Sequence, residues 1–197
     1  MGLDSVDLLM SFEEQFEIQI PNSEAENILT INDMVDAIYN KIKINPNDTC
    51  ISQLVFYRIR NDLIQLGISR DQITVDSKIS ELLKCDDLSS QWLELEQKLE
   101  LNIPKLHDLD IDKTLNKEVR FLGFKIFDRK EPIAQNTLKK FTHWVVSLNH
   151  AQLIKLDNIS SKYEIERIIC IITEERTGIP LSEIEPHHSF HNDLGID

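Results

Sequence analysis

The sequence predicts an all-α protein, and three observations predict it. Glycine and proline are scarce, at five and six among 197 residues, too few for the turns that a chain of many short strands needs. Apolar residues recur at helical spacing, and pairs of segments repeat one another at long offsets. With 41% hydrophobic residues the chain is long enough for one medium domain, or two to three small ones with packed cores.

Val6, Leu9, Met10 and Phe16 form one apolar stripe with Asp7, Glu14 and Glu17 left to solvent, which predicts an amphipathic helix over about 5–17. It ends at Ile18-Gln19-Ile20-Pro21, because proline cannot continue a helix. Thr30-Ile31-Asn32-Asp33 has the form of a capping box with Asp in place of Glu. Ile31, Met34, Val35, Ile38 and Ile42 then predict a helix over about 31–43. Ile51, Leu54, Val55 and Ile59 open a helix that Gly67 closes. Trp92, Leu95, Leu99 and Leu101 form the counterpart of the first helix, and Leu138, Phe141, Val145 and Leu148 that of the second. Trp92 and Trp144 fall on these core stripes. Between them, 105–136 has no counterpart, and its apolar run VRFLGFKIF (119–127) fits either a short strand or an extended segment laid on a bundle. Ile165, Ile168, Ile169 and Ile172 form a last helix that stops at Gly178.

Residues 13–21 superpose on 96–104 at an offset of 83, and 67–83 on 178–194 at an offset of 111. Thr30-Ile31, Met34 and Ile38 correspond to Thr137-Leu138, Phe141 and Val145 at an offset of 107. The order is therefore back half, complete unit, front half. Polar connections at 43–49 and 156–162 divide the chain into 1–45, 46–157 and 158–197. Both flanking halves have an apolar face to bury, so they either close into one permuted bundle or are excerpts of a longer array.

The net charge of −13 argues against nucleic acid as a partner and favours partners with basic patches. No apolar run approaches the ~20 residues of a membrane span, and residues 1–20 lack the pattern of a signal peptide. Cys50, Cys85 and Cys170 show no paired spacing, so a reduced, cytoplasmic setting is expected. Cys170, among isoleucines, is read as a core residue. His187, His188 and His191 near Asp193 have the residue types of a metal site or a catalytic base, but fall in a polar loop where a solvated role is the stronger reading. No nucleophile elbow or phosphate loop is present, so no catalytic or metal-ligating residue is assigned and the chain is not expected to be an enzyme.

Gly2-Leu3-Asp4-Ser5-Val6-Asp7-Leu8, the acidic helix Glu13-Glu14-Gln15-Phe16, Ile18-Gln19-Ile20-Pro21 and the capped helix Thr30–Ile38 together resemble the acyl carrier protein family. That family folds as a four-helix bundle and tethers intermediates on a 4′-phosphopantetheine arm; its usual Asp-Ser-Leu stands here as Asp-Ser-Val. The resemblance covers 1–43 strongly, 51–104 and 137–149 as a diverged copy, and 163–197 as a front half, and it implies a short helix near 23–28. It implies that Ser5, preceded by Asp4, is the attachment residue, modified by a phosphopantetheinyl transferase that uses coenzyme A. The cargo would be a thioester presented to acyl-loading and synthase enzymes, as in fatty acid or polyketide synthesis. Asp4, Asp7, Glu13, Glu14 and Glu17 would dock basic patches on those enzymes. A helix N-terminus favours a phosphodiester, although Ser5 or Asp4 could equally be an ordinary N-cap and the acids a solvated face. In the middle copy Leu88 stands at the position of Ser5, and Ser89 has slipped about 100° round the helix. That copy is read as a carrier-like fold without an arm. The alternative for the whole chain is an unloaded interaction scaffold.

Overall fold

In the computed structural model, which describes residues 2–47, 50–83, 87–112, 114–121 and 124–197, the chain is mostly helical. The helices are α1 (Leu3–Phe16), α2 (Asn22–Ala25), α3 (Ile31–Tyr39), α4 (Ile51–Gln65), α5 (Ile79–Leu82), α6 (Leu88–Leu99), α7 (Asp108–Ile111), α8 (Leu138–Leu148), α9 (His150–Leu153) and α10 (Lys162–Thr177). Strands β1 (Glu118–Phe121) and β2 (Phe124–Asp128) pair antiparallel, with a register shift between Val119 and Arg120. Residues 118–121 and 124–128 are thus paired strands and not an extended segment laid on a bundle. The chain divides into unit one, residues 1–51 with 149–197, and unit two, residues 52–148.

In unit one the two flanking halves close on each other, because α10 packs against both α1 and α3 and buries the apolar faces that neither half could bury alone. Phe12, Ile31, Ile38, Ile165, Ile168 and Ile169 are almost wholly buried there. The α1 helix begins at Leu3, two residues earlier than its stripe suggests, and ends with Glu17 in the left-handed conformation at φ 52°. The α3 helix carries the anticipated cap: Asp33 N–H donates to Thr30 Oγ1 at 3.1 Å, and Thr30 N–H to the Asp33 carboxylate at 2.8 Å. It stops at Tyr39 and not near 43, with Asn40 as its C-cap, and the N–H of Lys41 turns to the carbonyl of Ile38 three residues back, a tightened last turn.

Unit two is built from α4, α6 and α8 around Val55, Ile59, Leu63, Trp92, Leu95, Leu99, Phe141, Trp144 and Val145, all buried. Both tryptophans are core residues, as their stripes require. Its insert is held at the base by one carboxylate. Buried Asp110 accepts from His107 N–H at 2.9 Å, Ile133 N–H at 2.8 Å and Ala134 N–H at 2.8 Å, which ties the two ends of 107–134 together. Three backbone N–H groups on one buried side chain thus fix the place at which the hairpin leaves the bundle.

The offsets found in the sequence recur in the backbone hydrogen bonds. In unit one Phe190 N–H donates to Leu29 O (3.0 Å), Ile31 N–H to His188 O (3.2 Å) and Asn32 N–H to Pro186 O (2.8 Å). In unit two Ile79 N–H donates to Asn136 O (3.1 Å), Leu138 N–H to Ser77 O (2.9 Å) and Lys139 N–H to Val75 O (2.8 Å). Every partner is displaced by 111 or 107 positions, and the isolated bridges Thr30–Ser189 and Lys78–Thr137 obey the same shifts. Glu17 is matched by Glu100, left-handed at φ 50° and 83 residues on. The two units share one fold, with unit one permuted so that its front half comes last.

Candidate functional site

The α1 helix starts without a side-chain cap: Gly2 is the N-cap residue, with extended backbone. Neither Ser5 nor Asp4 caps the helix, which removes that ordinary role for the pair. Ser5 lies instead in the first turn, partly exposed, with its hydroxyl donating to Gly2 O at 3.0 Å and its N–H donating to Asp197 O at 2.9 Å. The second bond supplies from the far end of the sequence an acceptor that α1 lacks locally. Gly2 is required by close approach: a Cβ there would stand 2.4 Å from both C and O of Asp197. A serine oxygen is therefore presented at the positive end of a 14-residue helix, accessible from solvent and braced from beneath by 194–197.

Beside Ser5 opens a cavity of about 430 Å³. Its walls include Leu8, Leu9 and Phe12 of α1, Met34 of α3, and Phe190 and Ile196 from the C-terminal segment. The cavity was missed in the sequence, although Ser5, Leu8, Leu9 and Phe12 fall at i, i+3, i+4 and i+7 and so on one side of a helix. It is apolar, and of the size that encloses small ligands, which occupy about 300–1,000 Å³. His191 stands at its rim with Nδ1 3.2 Å from Asp197 Oδ1.

The acids of α1 separate into two groups. Asp4, Asp7, Glu14 and Glu17 are exposed, whereas Glu13 is half-buried and accepts from Ile20 N–H at 2.6 Å, which holds the turn after α1. Glu13 is thus a brace as much as a surface charge. Between the exposed acids lie Val6 and Met10, 39% and 58% exposed.

Other candidates resolve into local structure. His188 Nδ1 accepts from Glu185 N–H at 3.2 Å and its ring packs edge-on against His187. Among the described residues no group of three or more His, Cys, Asp or Glu could hold a metal ion. Cys170 is buried, and burial pushes its thiol up to about 11. Cys50 is exposed, and Cys85 lies outside the described residues. No helix among the described residues is long and apolar enough to cross a membrane. In unit two, Leu88 at the place of Ser5 is buried, and Ser89 is exposed one residue further along α6.

No protein-family profile matches this chain. No solved structure matches it either. An acyl carrier protein of Thermosynechococcus vestitus (strain NIES-2133 / IAM M-273 / BP-1) is 50% identical to it over 41 residues, which are 21% of this chain and 51% of that protein. The chain spans about half the length of that curated relative, and one segment of it is carrier-like.

Proposed function

We propose that unit one is an acyl carrier, with Ser5 as the point at which 4′-phosphopantetheine is attached. The single observation that carries this reading is the placement of one accessible hydroxyl at the N-terminal turn of α1, at the mouth of an apolar cavity. In the loading step the Ser5 Oγ–P bond forms while a P–O bond of the coenzyme A pyrophosphate breaks. Adenosine 3′,5′-bisphosphate leaves, and the hydroxyl proton passes to a base on the phosphopantetheinyl transferase. The arm supplies a thiol that holds an acyl group as a thioester. The chain's own contributions are positional: the α1 dipole stabilises negative charge beside Ser5, and Leu8, Leu9, Phe12 and Met34 can shield an acyl tail from water.

Asp4, Asp7, Glu14 and Glu17 then serve as the surface that meets basic patches on acyl-loading and synthase enzymes, with charge acting chiefly on association rate and selectivity. The chain itself performs no chemistry in this reading, and it works in the cytoplasm, where its thiols stay reduced. The scaffold reading is favoured for unit two, because Leu88 is buried where the attachment serine would stand.

Intact mass after incubation with coenzyme A and a promiscuous phosphopantetheinyl transferase tests the assignment. One arm is expected on the wild-type chain and none on Ser5→Ala. A folded wild-type chain that takes up no arm, or a Ser5→Ala chain that still does, would overturn it.

A further inference from the structure

The two units share one backbone design, so their side-chain differences mark what each unit does. In unit two Trp92 stands at the place of the cavity-lining Leu9, and Phe141 at the place of Met34. The two rings pack with centroids 5.3 Å apart, both are buried, and Trp92 Nε1–H donates to Pro104 O at 2.9 Å. Bulky aromatic groups thus occupy the positions that border the cavity in unit one. The outer face of the equivalent helix also loses charge, since Ser90 and Gln97 replace Asp7 and Glu14. What unit two has in addition is the clamped hairpin.

That hairpin displays Phe124, Ile126 and Phe127 at 78%, 60% and 55% exposure, and every residue of β2 is exposed. An isolated two-stranded ribbon is at best marginally stable in water, so uncovered aromatic and aliphatic groups on it call for a partner. The segment 117–131 carries five cations against three acids in a chain of net charge −13. Lys125 pairs with Asp128 and Arg120 with Glu118, but these pairs are about half exposed, hold little energy and can exchange partners.

We propose that the hairpin is a docking element for an acidic amphipathic helix, and that its occupant is α1 of a second copy of this chain. Asp7, Met10, Glu14 and Glu17 lie at i, i+3, i+7 and i+10, one exposed stripe with Val6 beside it. Its apolar centre matches Phe124, Ile126 and Phe127, and its acids match Lys125 and Lys130. Copies that are both strongly acidic repel at long range, but at physiological salt that repulsion decays over about 8 Å, which leaves local complementarity to decide contact. Unit two, with bulky side chains at the cargo positions, becomes a module that captures the carrier helix of another copy. The inference rests on the surface of α1 and not on loading of Ser5.

Sedimentation velocity of the full chain across micromolar concentrations, at physiological and at high ionic strength, tests it. The mean mass is expected to rise with concentration at physiological salt, where the net repulsion is screened, and to fall at about 1 M salt, where the local ion pairs are screened as well. K125E/K130E and D7K/E14K should each weaken association on the order of tenfold, and an equimolar mixture of the two variants should recover it. F124S/F127S should abolish association, with a thermal melt like that of the wild type as the control for folding. Ser5→Ala should associate normally, which separates this test from the carrier assignment. A monomer under all conditions, association that survives both reversals, or a mixture that fails to recover would overturn the proposal. So would hairpin-dependent binding to anionic vesicles without self-association, which would make a lipid surface the occupant.

Discussion

Replacing Leu9 by Trp and Met34 by Phe would give unit one the two side chains that unit two carries at the equivalent positions, and should cost it the ability to shelter an acyl chain. The magnitude follows from the cavity. Each methylene moved from water to an apolar site gains about 0.8 kcal/mol, so six of them would gain roughly 5 kcal/mol if fully enclosed. The cavity of about 430 Å³ is open on one side, and an immobilised tail loses conformational freedom. About half, roughly 2–3 kcal/mol, is a reasonable net figure. For a unit of about 100 residues that corresponds to a rise in melting temperature on the order of 10 °C. The assay is scanning calorimetry of the chain bearing the bare arm and bearing an octanoyl arm, for wild type and for the double variant. The octanoyl group should raise the transition of unit one in the wild type and leave it nearly unchanged in the variant. An equal rise in both would refute the reasoning, because the tail would then lie somewhere other than between α1 and α3.

Two further outcomes follow from single contacts. Gly2→Ala places a methyl group 2.4 Å from the Asp197 backbone, so it should displace 194–197 and break the Ser5 N–H bond to Asp197 O. The expected loss is about 1–2 kcal/mol, with faster amide exchange at Ser5; unchanged melting and exchange would count against the brace. Asp62 is buried with Oδ2 unpartnered, and burial raises its carboxyl above the ordinary 3.8 despite the opposing pull of Arg58 and Lys98. The folded form thus holds its proton more tightly than the unfolded chain, and stability falls as pH climbs from 3.8 through the raised value. Asp62→Asn should therefore stabilise unit two by about 1 kcal/mol at neutral pH, a gain that shrinks on acidification below that window. Urea melts at both pH values check this, and an equal gain at the two would exclude burial of the charge as the cause.

Much of this architecture is local, and local features can be read without coordinates. The Thr30–Asp33 box and the glycine stop at Gly178 depend on neighbours within a few positions, and each appears where the sequence places it. The stripe expected for α1 is corrected: Leu8, Phe12 and Phe16 are its buried residues, and Val6 and Met10 are exposed, because the position of α10 and not the local spacing alone selects the face that is covered. Repeats at offsets of 83, 107 and 111 were equally legible, because paired units with the same hydrogen-bond ladder demand the same apolar spacing. The hairpin at 118–128 was ambiguous, since a short apolar run fits a strand or an extended segment equally well. The three N–H groups that Asp110 collects could not be foreseen, because two of them lie more than 20 residues away.

What the amino-acid order determined by itself is the helical unit, its repetition, and Ser5 at the start of an acidic helix. Tertiary structure alone decided that residues 1–51 and 149–197 close into one bundle, that Asp197 braces the turn holding Ser5, and that a cavity opens beside that hydroxyl. The physical reason is distance along the chain. Helical periodicity and caps act within a turn or two, whereas a cavity wall and a brace are contributed by segments nearly two hundred residues apart, which meet only when each buries the apolar face of the other.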